Sequence, residues 1–332
     1  MNKLFYQIPI PFTFNAIRKL ANLNVLVVNY HVVSDIFLPH VNQIYNYRNT
    51  IRFVEDLDFL CRHYNTISLP ELIDHLKNGH KLPEKALLLT IDDGLKEIYH
   101  VIAPILKKRN ILPAVFLTSS YIDNKELGDD HKKSLLINKL ALDPSSPLQK
   151  RLVDFLRNEE LLLDSLNNSI IGIPYKKRSV IDVMAKEAGI DFTSYLRENS
   201  PYLTSDQVME LKNSGYAFGG HSINHPRFSE LTIEEQLQQA QESMDFVCNH
   251  FAVPYKAFAF PYWDAAVSYE FFNKLGADVT FGTQGLLTDP VQNHIQRIGF
   301  ERFKYSAAES IKAHYCRKLI LTWLHAGMSI RP

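Results

Sequence analysis

Cysteine is scarce: only Cys61, Cys248 and Cys316 occur in 332 residues, far apart and never as Cys-x-x-Cys. A scattered, odd set excludes a disulfide framework and a thiolate zinc site, so the three read as small buried apolar residues. An excess of one charge is missing too, since 36 Lys and Arg balance 36 Asp and Glu. Without a net field nothing gathers nucleic acid or presses the whole chain onto an acidic membrane, and a neutral or locally sorted partner fits better. No window holds the roughly 18 to 20 consecutive apolar residues that span a bilayer; the nearest candidate is the short run Val25 to Val28. Pro9, Pro11 and Asn15 interrupt what would have to be the apolar region of a signal peptide, so no cleavable signal is expected. Internal repeats and low-complexity tracts are also lacking.

What is present is a good core composition, 46% hydrophobic against 22% charged, the balance of a soluble globular protein. The length admits one large barrel with an insertion or two ordinary domains. Short apolar runs rich in β-branched residues lie at Val25 to Asn29, Ala86 to Ile91, Ala114 to Thr118, Tyr216 to Phe218, Ala257 to Phe260, Asp278 to Phe281 and Ile295 to Phe300. Segments of helical period separate them, among them Ile51 to His63, Leu69 to Asn78, Glu97 to Asn110, Ser205 to Ser214, Ile233 to Phe251 and Ala265 to Leu275. Strand and helix in turn predict an α/β fold with parallel strands. From Asn124 to about Tyr202 the rhythm stops, and leucine-rich helical patterns at Pro147 to Leu163 and Val180 to Ala188 mark a helical insertion in a unit running from 24 to 332. Residues 1–23 read as an N-terminal extension. There Phe12, Phe14, Ile17, Leu20 and Leu23, with Arg18 and Lys19 between them, make an amphipathic stripe. Docking on the protein's own barrel is the preferred use of that stripe, and peripheral membrane contact the other.

Three segments carry candidate chemistry. The apolar run from Ala86 ends abruptly in Asp92-Asp93-Gly94. Two adjacent carboxylates after a buried strand repel each other and lose hydration unless a cation or hydrogen bonds offset the cost, which places a site at the strand's C-terminal rim. A capping aspartate with an Asp-Gly turn would leave the same letters. The second segment is Gly219-Gly220-His221-Ser222-Ile223-Asn224-His225. Histidines four apart on one turn can aim both imidazoles at one metal, although 13 histidines make such a spacing a weak signal by itself. Together Asp93, His221 and His225 supply three ligands and leave positions open, the pattern of a catalytic metal. The third segment, Ala259-Phe260-Pro261-Tyr262-Trp263-Asp264, ends another strand and can bring backbone N–H groups and aromatic surface to the same rim.

In their order and wording these segments resemble the hallmarks of the polysaccharide deacetylase family, also called the NodB-homology or carbohydrate esterase family 4 group: Thr-Phe-Asp-Asp-Gly, His-[Ser/Thr]-x-x-His and Arg-x-Pro-Tyr. Here they read Thr90-Ile91-Asp92-Asp93-Gly94, His221-Ser222-Ile223-Asn224-His225 and Ala259-Phe260-Pro261-Tyr262. The resemblance covers about Val25 to Glu301 apart from the insertion. It implies a distorted (β/α) barrel and a hydrolase that removes N-acetyl groups from an amino-sugar glycan or glycan precursor. It further implies Asp92 as catalytic base, a divalent metal, usually zinc, on Asp93, His221 and His225, and the Tyr262 backbone N–H as an oxyanion donor. Such a metal lowers the pKa of bound water from about 15.7 toward about 7 and polarises the acetyl carbonyl.

The sequence departs from this pattern in places. The family's motif arginine, which contacts the base, falls at Ala259, and Arg297 in the last apolar run is the candidate substitute. The family's Leu-x-His proton donor has no clean copy: Trp323-Leu324-His325 and His294 fit only loosely, which leaves the acid unassigned. His31, in a Tyr-His pair after the first strand, Pro261 and Trp263 are the candidate substrate-binding residues, Trp263 as a flat surface for a sugar ring. A metal-dependent amidase acting on a non-carbohydrate amide and a non-catalytic carbohydrate-binding relative stay open as alternatives. The expected location is the cytoplasm, and contact of the N-terminal helix with the inner membrane face is the alternative to its docking on the barrel.

Overall fold

The structure is a computed structural model that describes residues 14–301, 304–324 and 331. Nine strands, all paired in parallel, make one sheet: β1 (Val25–Tyr30), β2 (Asn65–Thr66), β3 (Ala86–Ile91), β4 (Ala114–Leu117), β5 (Ala217–Gly220), β6 (Ala257–Ala259), β7 (Val279–Gly282), β8 (His294–Gln296) and β9 (Ile298–Gly299). Their order is β8-β7-β6-β5-β4-β3-β1-β9, with β2 beside the start of β3. Only Arg297 separates β8 from β9. One broken strand therefore pairs with β7 on one side and with β1 on the other, and the sheet closes into a distorted (β/α) barrel.

Thirteen α-helices accompany the strands among the described residues: α1 (Phe14–Ala21), α2 (Thr50–His63), α3 (Leu69–Asn78), α4 (Ala103–Lys107), α5 (Asp129–Ala141), α6 (Pro147–Asn158), α7 (Leu166–Gly172), α8 (Ser179–Glu187), α9 (Phe192–Asn199), α10 (Ser205–Asn213), α11 (Ile233–Phe251), α12 (Tyr269–Leu275) and α13 (Ala307–Trp323). Several starts are written in the chain as capping boxes: Ser68 with Glu71, Thr204 with Gln207, Thr232 with Glu235 and Ser306 with Glu309. The segment expected as one helix over Glu97 to Asn110 is instead a π-helical turn at Ile98–Ile102 leading into α4. The helix expected from Ala265 starts at Tyr269, where Ser268 caps it. The two-residue β2 carries too little alternation to be seen in a sequence.

Strand alternation sorts the apolar residues into two cores. Leu26, Val28 and Tyr30 of β1 and Leu87, Leu89 and Ile91 of β3 face the helices, whereas Val27, Ala86, Leu88, Phe116, Ala257, Ala259, Val279 and Phe281 fill the barrel. Space inside is tight at β5. A Cβ on Gly220 would lie 2.6 Å from Ser243 Oγ and 2.8 Å from the Met244 backbone nitrogen of α11, so glycine is what lets this helix touch the strand.

Between β4 and β5 the chain leaves the barrel for α5 to α9, whose residues Leu136, Leu152, Leu156, Ile170, Ile181 and Met184 belong to a cluster of their own. Residues 1–13 of the expected N-terminal extension, Phe12 included, lie outside the described residues. In α1, Ile17 and Ala21 are buried against the barrel's outer core, Phe14 packs on Phe59, Tyr64 and Tyr315, and Leu20 stays exposed. No described helix is long and apolar enough to cross a membrane. Of the cysteines only Cys316 is buried; Cys61 is exposed and Cys248 intermediate, because both sit on helix flanks rather than on core-facing positions.

A buried ionic knot joins the loops after β6 and β7 to the C-terminal end. Asp264 Oδ2 accepts hydrogen bonds from His294 Nε2 at 3.1 Å, Gln296 Nε2 at 2.8 Å and Arg331 Nη2 at 2.7 Å. Arg331 also pairs with Asp289 and donates to the Asp264 carbonyl at 2.7 Å. Burial opposes the Asp264 charge, but His294, Gln296 and the Thr283 N–H outweigh it and hold the carboxyl well below the usual range.

Two stability predictions follow from these contacts. Arg331→Ala strands two buried carboxylates and is expected to lower unfolding free energy by about 3–5 kcal/mol in a urea titration. Gly220→Ala should cost about 1–3 kcal/mol through overpacking against α11; an unchanged urea midpoint would remove the close-approach argument.

Candidate active site

The upper ends of the strands turn polar while keeping the inward parity of the barrel core. Asn29 on β1, Thr90 on β3 and Asp92 just beyond it follow Val27 and Leu88 on the interior face, and Arg297 enters from the break in the closing strand. Its guanidinium lies over an apolar aromatic floor, 5.7 Å from the Phe116 ring centroid and 5.9 Å from that of Phe281. From there Nη1 donates to Asp92 Oδ1 and Nη2 to Asp92 Oδ2, both at 2.8 Å, a two-pronged pair between fully buried groups. Asn29 Nδ2 adds a third donor to Oδ2 at 3.0 Å. Burial pushes the Asp92 carboxyl up, but Arg297 and His221 overcome this and leave it below its ordinary value, hence ionised. Ala259, where the family's arginine would stand, is packed in the barrel core two strands away.

Beside this pair, Asp93 Oδ1 lies 3.3 Å from His221 Nε2 and 3.4 Å from His225 Nε2. The two contacts lack hydrogen-bond alignment, so Oδ1 is a buried carboxylate oxygen with no partner. Native structures rarely leave such an atom unsatisfied unless an ion or water completes it. The ligand atoms of Asp93, His221 and His225 all fall within 4.8 Å of one another, so these three residues could hold a metal ion. The protonation states suit that use. Burial lowers His225 to about 4, keeping a neutral imidazole, and the neighbouring histidines outweigh burial to keep Asp93 well below the usual carboxylate range. His221 Nδ1 donates to the Ala259 carbonyl at 2.8 Å, which fixes Nε2 as the lone-pair nitrogen toward the cluster. A second group of this kind, Asp264, Asp289 and His294, already has the Arg331 guanidinium bound to both carboxylates.

The motif turns carry unusual backbone. Asp93, Ser222, His225 and Tyr262 all have positive φ, at 73°, 70°, 60° and 53°. Such conformations are uncommon for residues with a Cβ and persist where surrounding contacts over-determine them. The Ser222 hydroxyl, for one, accepts the His225 N–H at 2.9 Å.

One cleft of about 710 Å³ is lined by Asp92, Asp93, His221, His225, Arg297, His31, Tyr262 and Trp263. His31 Nδ1 lies 2.6 Å from Glu301 Oε2, and the other Glu301 oxygen accepts the Val32 N–H at 2.6 Å. Burial works against a charged His31, but Glu301 more than offsets it, and the ring is raised to about 9. Trp263 is 56% exposed at the rim. Pro261 is buried and does not line the cleft. The Tyr262 backbone N–H donates to no other described residue. Its hydroxyl donates to Asp130 of α5, and Arg227 stacks on its ring, so the insertion touches the motif loop directly. His294 is turned into the Asp264 knot and does not line the cleft; His325 lies outside the described residues.

Several cleft groups escape sequence reasoning. Asn29 could have been found by extending the inward parity of β1 to its end. Glu301 directly follows the last apolar run, where a lone acid carries no pattern. Tyr45, whose hydroxyl is 3.4 Å from Asp93 Oδ2, comes from a loop, and Asp130 from an insertion that has no motif.

A family profile described as polysaccharide deacetylase matches residues 173–279, a stretch holding the His221–His225 and Pro261–Tyr262 segments but not Asp92 and Asp93. No curated protein matches the chain by sequence. Among solved structures it is similar to the Streptococcus pyogenes deacetylase PplD in complex with acetate, at 16% identity and TM-score 0.54 over 87% of this chain and 97% of the other. It is similar also to IcaB from Ammonifex degensii, at 15% identity and TM-score 0.53 over 88% and 96%, and to a de-N-acetylase from Aggregatibacter actinomycetemcomitans, at 17% and 0.51 over 87% and 99%. These identities speak for the fold, and the matched profile adds sequence to it. Over residues 173–279 the chain is thus similar in sequence to polysaccharide deacetylases, and its barrel is similar to that of solved deacetylases.

Proposed function

We propose that the protein is a metal-dependent hydrolase that removes the N-acetyl group of an amino sugar in a glycan or glycan precursor. The observation that carries this reading is the ionised Asp92, clamped by Arg297 beside the unsatisfied Asp93 Oδ1 and its two histidines. Asp93, His221 and His225 would hold a divalent ion, most simply zinc given two imidazoles and one carboxylate. When bound, such an ion supplies a lowered pKa for water and polarisation of a carbonyl.

The chain's own groups divide the remaining work. Asp92 accepts the proton of the attacking water, and Arg297 orients both its oxygens so that the carboxylate stays ionised until that step. The Tyr262 N–H, which donates to no other described residue, is available to the oxyanion that develops as water adds to the acetyl carbon. His31 is the candidate proton donor: its Nδ1 is held by Glu301, which leaves Nε2–H to protonate the departing amine as the C–N bond breaks. Acetate and the free amino sugar result. Trp263, exposed at the rim, offers a face for a pyranose ring. Arg297 on Asp92 also removes the main support for a non-catalytic binding relative, which was the missing cation at Ala259.

Protein loaded with one equivalent of zinc or cobalt should release acetate from N-acetylglucosamine oligomers. Asp92→Asn should lower kcat by about 10²–10⁴ while metal content, read by elemental analysis, is unchanged. His221→Ala and His225→Ala should each lose the metal; retention of a full equivalent in both would refute the ligand set. His31→Gln should depress kcat with little change in KM, and a wild-type rate in that variant would return the proton donor to the unassigned.

A further inference from the structure

The cleft has a second polar wall that the deacetylation chemistry does not use, made by Gln284, Gly285, His314 and Arg317. His314 and Arg317 sit three residues apart on α13 and so share a face. His314 is 7% exposed, and neither ring nitrogen has a hydrogen-bond partner among the described residues. Gly285 presses on this ring: with φ +79°, a Cβ there would stand 2.6 Å from His314 Nδ1. Arg317 makes one hydrogen bond, from Nη1 to the Gln284 carbonyl at 3.3 Å, and no ion pair among the described residues.

The charges of the cleft sharpen this. Its three carboxylates all lie away from this wall: Asp92 pairs with Arg297, Asp93 faces His221 and His225 with Oδ1 unsatisfied, and Asp130 meets Lys133 and Tyr262. Its other cations are committed too, with Arg227 3.8 Å from Glu230 and stacked on Tyr262. Asp264 and Asp289 are taken by Arg331. Arg317 is thus the cleft cation without a counterion among the described residues, beside an imidazole whose two nitrogens are buried and unpartnered among those residues. Burial and the adjacent guanidinium hold that imidazole neutral, lowered to about 3, so it offers one N–H next to the guanidinium N–H groups. Donors plus one unbalanced positive charge fit an acceptor-only anion.

We infer that the His314–Arg317 wall is a subsite for an oxyanion, a phosphate or a carboxylate, carried on the same glycan whose N-acetyl group lies at Asp92. The inference rests on the deacetylase reading for the sugar and on the wall itself for the charge. It narrows the substrate class from any N-acetylated sugar to an acidic one. A phosphate ester points to a nucleotide- or lipid-linked precursor, and a carboxylate to a uronate-bearing glycan.

The test is calorimetric titration of the full-length, zinc-loaded protein with N-acetylglucosamine, N-acetylglucosamine 1-phosphate and a disaccharide of N-acetylglucosamine with glucuronic acid. One of the two anionic sugars should bind about tenfold to hundredfold tighter than the neutral one, and which one identifies the source of the charge. The advantage should vanish in Arg317→Gln, shrink in His314→Gln and largely return in Arg317→Lys. Equal wild-type affinities for all three sugars overturn the inference without any variant having to fold. An anion advantage that survives Arg317→Gln also overturns it, because it then comes from the zinc. Acetate release from neutral oligomers with no anion preference would sink the subsite and spare the deacetylase reading. An Arg317-dependent preference with no acetate from any sugar would do the reverse.

Discussion

The Arg297–Asp92 pair is the contact on which the rest of the site depends. A carboxylate buried at the top of a barrel is costly unless a cation meets it in good geometry, and removing one partner of such a pair is far worse than having neither. Here the cation comes from the one residue that interrupts the closing strand. The break turns the guanidinium inward over Phe116 and Phe281, where both Asp92 oxygens can be reached at once. Barrel closure and the ionisation of the Asp92 carboxyl are therefore the same local event.

Around this pair the polar groups are graded by depth. Thr90 and Asn29 sit beneath it and are tied to Arg297; Asp93 and the histidines stand beside it with one oxygen unsatisfied; His31 and Glu301 form the near wall. The gradient follows from strand parity, because each inward position one step up the barrel meets a less apolar layer. The insertion adds Asp130 to the same surface and so gives the cleft a wall that the barrel alone would not have.

Much of this was legible in the chain. Ala86–Ile91 is a strand with the bounds its apolar run predicts, and α3 and α11 begin and end where their caps and periods say. The aspartate pair and the two histidines could be joined because their spacing is local and their chemistry is specific. Arg297 could be nominated, since a missing cation at Ala259 calls for another, but its reach to Asp92 depends on a strand break that no periodicity reveals. Glu301, Tyr45 and Asp130 stayed hidden for a common reason: each is a single polar residue brought in by tertiary packing, and a lone letter carries no period, spacing or neighbour to betray it.

The four left-handed residues of the rim have a further consequence. Asp93, Ser222, His225 and Tyr262 occupy backbone conformations in which glycine would be more comfortable, yet each keeps its side chain at the cleft or its supporting turn. The rim is thus the part of the molecule where ease of folding and usefulness pull apart, and the barrel's packing must hold it against relaxation. Sequence changes that make this protein sturdier are best sought in the helices and outer core, since consensus-style relief of the rim would trade away the geometry that defines the site.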